Sequence, residues 1–200
     1  AEFNRAIVRA TRDLVCAYKP NVAFYEALGT PGIKALDKTV RYIRQVSNSA
    51  LVIGDVKRGD ISSTARMYAR ACFEVWGFDA VTVNPYIGGD SLEPFLNYVD
   101  RGIFVICRTS NRGAQDLQSL SVMIDGKEKF LFEQVAHLAF EWNLSGNVGL
   151  VVGATYPTDI RKVREICRDL PILIPGVGTQ GGDLKSAVVS GIDVDGRKAI

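Results

Sequence analysis

Six short apolar runs, interleaved with helix-like segments, constrain this chain more than any other feature. They read "LVCAYKP" (14–20), "LVIGDVK" (51–57), "AVTVNP" (80–85), "GIFVICRT" (102–109), "VGLVVGAT" (148–155) and "PILIPGVG" (171–178). Each is nearly continuous in apolar, β-branched residues, the pattern of a strand covered on both faces. Between most of them lie helical patterns at 34–46, 62–76, 91–100, 128–142 and 158–169. Alternation at this spacing predicts βαβ units and a parallel sheet. Right-handed crossovers leave two solutions, a doubly wound sheet or a closed (β/α)8 barrel. With no low-complexity linker and no shift in composition, residues 1–200 read as a single domain.

Two features select the (β/α)8, or TIM, barrel. Polar residues gather at the C-terminal end of nearly every run: Lys19, Asp55 and Lys57, Asn84, Arg108 to Ser110, Thr155, and the glycine-rich loop after Pro175. Barrel active sites are built from that face, with several strands converging. The glycine-rich segment also comes late, after the sixth run, whereas a dinucleotide-binding unit carries it after the first strand. The G-x-G-x-x-G match at Gly176, Gly178 and Gly181 is a weak signal by itself. Six runs supply six of eight strands, so this reading expects the first strand before Ala1 and the last after Ile200.

Composition removes several classes of function. A net charge of +2 gives no footprint for nucleic acid or a polybasic membrane patch. No apolar run reaches the roughly 18 residues of a membrane span. Glu2 to Asp13 is a charged amphipathic segment, unlike a secretory leader. Cys16, Cys72, Cys107 and Cys167 each sit in an apolar context, as expected of small buried hydrophobes in a reducing cytoplasm. His137, the single histidine, lies within "LFEQVAHLAFEW" and reads as structural. With one His and no C-x-x-C pair, no metal site is expected.

The second run ends unusually. "LVIGDVKRGDISSTARMYA" (51–69) places Asp55, Lys57, Arg58 and Asp60 within six residues, directly after an apolar strand. Strand side chains alternate, so Asp55 and Lys57 share a face. In a barrel that face is the interior, where charges cost several kcal/mol unless paired. Lys19 closes an earlier run at the same mouth. A structural ion pair, with Asp60 as N-cap of the next helix, accounts for Asp60 but not for the convergence of charges. An alternating Lys-Asp-Lys-Asp array has a specific use. The carboxylates keep the lysines protonated; a protonated lysine can deliver a proton to a carbanion and stabilise developing negative charge. An Asp set against an anionic substrate group favours loss of that group as neutral CO2, although ground-state destabilisation is contested as a major term. The chemistry indicated is decarboxylation or proton transfer at carbon.

"PILIPGVGTQGGDLKSAV" closes the pattern. Glycines let backbone N–H groups approach an anion, and barrels commonly grip phosphate after strands seven and eight. Gln180 can donate to a phosphate oxygen. The plainer alternative is a tight strand-to-helix turn with Asp183 as the helix cap.

Five motifs together carry a resemblance. "DVKRGDISSTA", "CAYKPNVAFYEALG" (16–29), "CRTSNRGAQDLQ" (107–118), "GLVVGATYP" (149–157) and "PGVGTQGGD" (175–183) resemble orotidine 5′-phosphate decarboxylases, in the order and spacing of that family's longer bacterial subgroup. The resemblance covers essentially the whole chain. It implies a (β/α)8 barrel that converts orotidine 5′-monophosphate (OMP) to UMP and CO2 in pyrimidine synthesis, without a cofactor, as a cytoplasmic homodimer with shared active sites. By motif match, Lys19, Asp55, Lys57 and Asp60 form the charged array, with Lys57 the proton donor to C6. Asp60 and Thr64 reach the neighbouring subunit's site. Asn21 matches a ribose or array contact, Ser110 the pyrimidine contact, Pro175 an apolar wall and Gln180 a phosphate contact. Three departures stand out. The family's strand-one Asp falls before Ala1. Its phosphate-binding Arg falls beyond "DGRKAI", where Arg197 matches the preceding turn instead. Arg112 stands where relatives carry Pro, in a loop that closes over the base. Related phosphosugar barrels with the same Asp-x-Lys-x-x-Asp signature, the 3-keto-gulonate-phosphate decarboxylases and hexulose-phosphate synthases, use Mg2+; the "AYKPN" and "TSN" segments set this chain apart. A non-catalytic nucleotide-binding barrel is the remaining alternative, and nothing in binding alone calls for the array.

Overall fold

Consecutive order is the defining property of the sheet. The computed structural model describes residues 1–47, 49–178 and 180–197. In chain order it contains α1 (Glu2–Thr11), β1 (Ala17–Tyr18), α2 (Val22–Glu26), α3 (Gly29–Val46), β2 (Leu51–Arg58) and α4 (Ser62–Arg70), which runs into a π-helical turn (Ala71–Val75). Then follow β3 (Ala80–Val83), the one-turn α5 (Glu93–Leu96), β4 (Gly102–Arg108), β5 (Ser121–Ile124), β6 (Lys127–Phe130), α6 (Leu131–Trp142), β7 (Val148–Val152), α7 (Pro157–Ile166), β8 (Ile172–Leu173) and α8 (Leu184–Gly191). Six strands pair in parallel in the order β1-β2-β3-β4-β7-β8. The order never reverses, whereas a doubly wound sheet must reverse at its switch point. The sheet is the curled α/β wall of a barrel.

Packing confirms which face is the interior. One large cluster joins the helices to the strand residues that face them, among them Val52, Val81, Ile103, Val105, Leu150 and Ile172. The alternate residues, Ile53, Ala80, Phe104, Val151 and Leu173, form a second small cluster with Ala17 and Ile106 against it. Each of these five comes from a different strand, so they are one layer of a barrel interior. Burial on both faces explains the unbroken apolar runs. Asp55, Lys57 and Thr82 continue the same inward-facing rows one layer up.

The structure corrects several element boundaries. Residues 128–130, expected as helix, belong to an antiparallel hairpin of β5 and β6. Asp125 and Gly126 turn it with φ of 52° and 73°, the Asp-Gly pair of a type I′ turn. Helix α6 starts only at Leu131, where the Glu133 carboxylate accepts the Phe130 N–H at 2.8 Å. The helical pattern at 91–100 supplies only the short α5, and that at 34–46 extends back to Gly29. Lys198 to Ile200, the end of "DGRKAI", and Thr179 of "PGVGTQGGD" lie outside the described residues.

Candidate active site at the C-terminal ends of the strands

The site begins where β1 and β2 meet. Beyond the formal end of β1, the Asp55 N–H donates to the Pro20 carbonyl at 3.0 Å, and Asn21 pairs with Asp55 as an isolated parallel bridge. This sets Lys19 beside Asp55, and Lys19 Nζ donates to Asp55 Oδ2 at 3.1 Å. Lys57, two residues along the same strand face, donates its Nζ to Asp55 Oδ1. The Asp55 side chain is 8% exposed, against 33% for Lys19 and 51% for Lys57. Burial pushes the Asp55 carboxyl up, but the hydrogen bond from Lys57 and the charge of Lys19 outweigh it and hold the group below its ordinary value. Asn21 also caps α2, its side chain accepting the Ala23 N–H at 3.2 Å.

Lys19, Asn21, Asp55, Lys57, Ser110, Pro175 and Gln180 line one cavity of about 380 Å³. Seven of the nine residues expected from sequence thus share one cavity. Its floor is apolar, formed by Ile106, Val151 and Leu173, and Thr82, Thr109, Asn111 and Gly176 complete the wall. Across the mouth the Ser110 hydroxyl donates to Gln180 Oε1, joining the loop after β4 to the loop after β8. Gly176 permits this approach: its φ is 97°, and a side chain there would bring Cβ within 2.7 Å of Gln180 Oε1. Gly182 packs as closely, since a Cβ would lie 2.6 Å from Ala154 Cβ and 2.7 Å from the Gly176 carbonyl. The glycine-rich segment is therefore a tight turn, and Asp183 does cap α8 by accepting the Ser186 N–H at 2.8 Å.

Asp60 and Thr64 do not join this cavity. Asp60 accepts the N–H of Ile61 at 2.8 Å, so it lies one residue before the helix cap and Ile61 takes the N-cap position of α4. Thr64 is exposed in the first turn of that helix. Arg108 also departs from expectation. The pairing register with β7 shifts between Ile106 and Arg108. The guanidinium turns away from the mouth to bind Asp159 Oδ2 at 2.9 Å and to stack over Tyr156 at 4.4 Å. The Thr155 hydroxyl is buried, with no hydrogen-bond partner among the described residues. His137 lies on α6, away from the cavity lining.

Sequence reasoning missed Thr82. It stands two residues before Asn84 in "AVTVNP". The inward-facing parity that marks Asp55 and Lys57 on β2 marks Thr82 on β3, which was the available signal.

A protein-family model described as "Orotidine 5'-phosphate decarboxylase / HUMPS family" matches residues 1–198. The chain belongs to this family. It is 57% identical over 192 residues to an orotidine 5′-phosphate decarboxylase of Thermomicrobium roseum, covering 95% of this chain and 66% of that protein. It is 49% identical over 199 residues to one of Dehalococcoides mccartyi, covering 100% of this chain and 73% of that protein. The chain thus spans about two thirds to three quarters of the length of these relatives. The structure of the Leishmania donovani OMP decarboxylase superposes with a TM-score of 0.91 at 41% identity, over 99% of this chain and 75% of that one.

Proposed function

We propose that this chain carries the active site of a decarboxylase that converts OMP to UMP and CO2 in pyrimidine synthesis. The observation that supports this most directly is the buried Asp55 carboxylate held between two lysine ammoniums, Lys19 and Lys57, in a cavity at the C-terminal strand ends. In this reading the substrate's carboxylate is seated against Asp55 and leaves as CO2. The electron pair left on C6 takes a proton from Lys57 Nζ, and the neutral amine regains its proton from solvent. Lys57 serves because an ammonium beside a carboxylate is both charged and able to release a proton. Lys19 holds Asp55, Asn21 contacts the ribose or the array, Ser110 contacts the pyrimidine, Pro175 forms the apolar wall, and Gln180 contacts the phosphate. The reading invokes no cofactor.

Asp60 and Thr64 fit the same scheme from a second copy of the chain. Both sit beside the β2 end but outside their own cavity, as groups serving a neighbour would. We accordingly assign a homodimer with shared sites, acting in the cytoplasm. Among the described residues no helix is long and apolar enough to cross a membrane.

The test is OMP turnover by the full-length protein, followed by loss of substrate absorbance, with and without EDTA. The wild type should turn over equally in both. Lys57→Ala should lose about 10²- to 10⁴-fold or more in kcat, the usual worth of a general acid. A mixture of Lys57→Ala and Asp60→Ala subunits should recover activity through one intact site per heterodimer. Wild-type rates in Lys57→Ala sink the assignment of the acid. No recovery after demonstrated subunit exchange sinks the shared site.

A further inference from the structure

Two lysines on flexible stems do not by themselves fix the carboxylate between them, and the structure supplies another group that does. We infer that Thr82 is a positioning residue of the charged array, its hydroxyl setting both the Asp55 carboxylate and the backbone that aims Lys57. The inference rests on the decarboxylase reading and deepens it.

Thr82 is 2% exposed on β3, opposite the end of β2. Its Oγ1 accepts the N–H of Val56 at 3.1 Å and that of Lys57 at 3.0 Å, and donates to Asp55 Oδ1 at 3.0 Å. A hydroxyl has one hydrogen and two lone pairs. Both lone pairs are taken by N–H donors, so the hydrogen can go only to Asp55. One oxygen thus ties three consecutive residues together. Asp55 in turn receives Thr82 and Lys57 on Oδ1 and Lys19 on Oδ2. All three donors favour the charged carboxylate over the protonated acid.

The same oxygen bears on Lys57, whose φ is 47°. A non-glycine residue rarely holds that left-handed conformation unless its surroundings impose it. Here the Lys57 N–H is held by Thr82, and the next carbonyl, of Arg58, accepts the Asn84 N–H at 2.8 Å. The end of β3 grips the strand on both sides of the turn that presents the ammonium. Valine has the shape of threonine but would leave both N–H groups unpaired and remove a donor from Asp55. Serine keeps all three bonds.

Steady-state OMP kinetics on the full-length protein test this. Thr82→Val should lower kcat about 10- to 100-fold, as for loss of a hydrogen bond to a charged group, with KM little changed. The acid limb of its kcat/KM profile should move to higher pH, because Asp55 loses a donor to its charged form. Thr82→Ser should keep both kcat and the limb near wild type. The charged groups facing Asp55, Lys19 and Lys57, remain in every variant, so the shift reports the hydroxyl. A merely structural role would lower Tm without moving the limb. If Thr82→Val does not fold, Thr82→Ala, with room for a water beside the two N–H groups, should show the same kcat-selective loss. Wild-type kcat and pH profile in the valine or alanine variant, or an equal loss in the serine variant, overturn the inference while leaving the decarboxylase reading intact. No OMP turnover by the wild type overturns that reading itself.

Discussion

The barrel carries an aspartate between two cations at each of its ends, and the two arrangements differ in ways that separate chemistry from support. At the C-terminal end of the strands Asp55 binds Lys19 and Lys57 and the Thr82 hydroxyl. At the N-terminal end Asp79 binds Arg44 at 2.7 Å and Arg101 at 3.6 Å, and accepts the Val52 N–H at 2.7 Å. The lower cations are both arginine, and both also donate to backbone carbonyls, Arg44 to Gly77 and Arg101 to Phe78. Arginine keeps its proton at any ordinary pH and its planar fork spans several acceptors, which suits a fastener of loop to strand. Lysine is a single mobile charge that can release a proton. Among the described residues the upper ammoniums have no such backbone anchors. They converge on a carboxylate and open onto a cavity, while the lower pair ties α3 and the residue before β4 to the residue before β3. The contrast agrees with the general division of barrels, function at the C-terminal face and stability at the other.

Exchanging the cation type is the sharpest way to break this contrast. Lys57→Arg keeps the charge beside Asp55 but removes the proton that can be released, so kcat should fall by about 10²- to 10⁴-fold. Retention of most of the wild-type kcat would show that charge alone suffices and that the two ends differ less than proposed. The matching change below is Asp79→Ala. It strands the Val52 N–H and unpairs two partly exposed arginines, for a loss of about 1–3 kcal/mol, or roughly 2–10 °C in Tm for a chain of this size. Its kcat should equal that of the wild type. Equal thermal melting in the two proteins would remove Asp79 from the framework, and a kcat loss without melting would join the two ends functionally.

How much of this was visible beforehand follows from what each feature depends on. The parallel wall could be read because burial on both faces forces continuous apolar runs. Asp55 and Lys57 could be read because charges on one strand face contradict that burial. Lys19, Ser110, Pro175 and Gln180 could be placed at one mouth because they follow the C-terminal ends of the parallel strands β1, β4 and β8. Thr82 and Asp79 were harder to recognise, since parity turns Thr82 inward but no charge singles it out. Threonine is an ordinary strand residue, and its three bonds exist only in the register that sets β3 beside the end of β2. Asp79 reads as a loop polar residue until Arg44, 35 positions earlier in the chain, folds across it. Arg108 misled because a register shift, which alternation does not foresee, turned it outward. The hairpin at 121–130 went unread although Asp125 and Gly126 mark its turn, because its second strand shares charged residues with the start of a helical pattern, and the Glu133 cap that divides them is a local contact.

The smallest expected effect concerns acid, and it asks whether Asp55 also contributes to stability. Lys57 and Lys19 hold the folded carboxyl below its ordinary value near 3.8 despite its burial. The folded state therefore binds this proton less readily than the unfolded chain. The resulting stabilisation is present in full above the unfolded value and is lost as pH falls below it through the folded one. Asp55→Asn, which cannot ionise, should be less stable than the wild type at neutral pH. The gap should close as the pH drops from about 4, with urea midpoints measured at each step. The two lysines are partly exposed and solvent screens them, so the gap should be smaller than the loss from Asp79→Ala. If the gap holds constant into acid, the asparagine variant differs through packing and hydrogen bonds alone, and the charge on Asp55 serves only the cavity it faces. If the gap closes but exceeds that of the Asp79 variant, the upper site is as much a fastener as the lower one, and the division of labour between the two ends of the barrel fails on the side of stability.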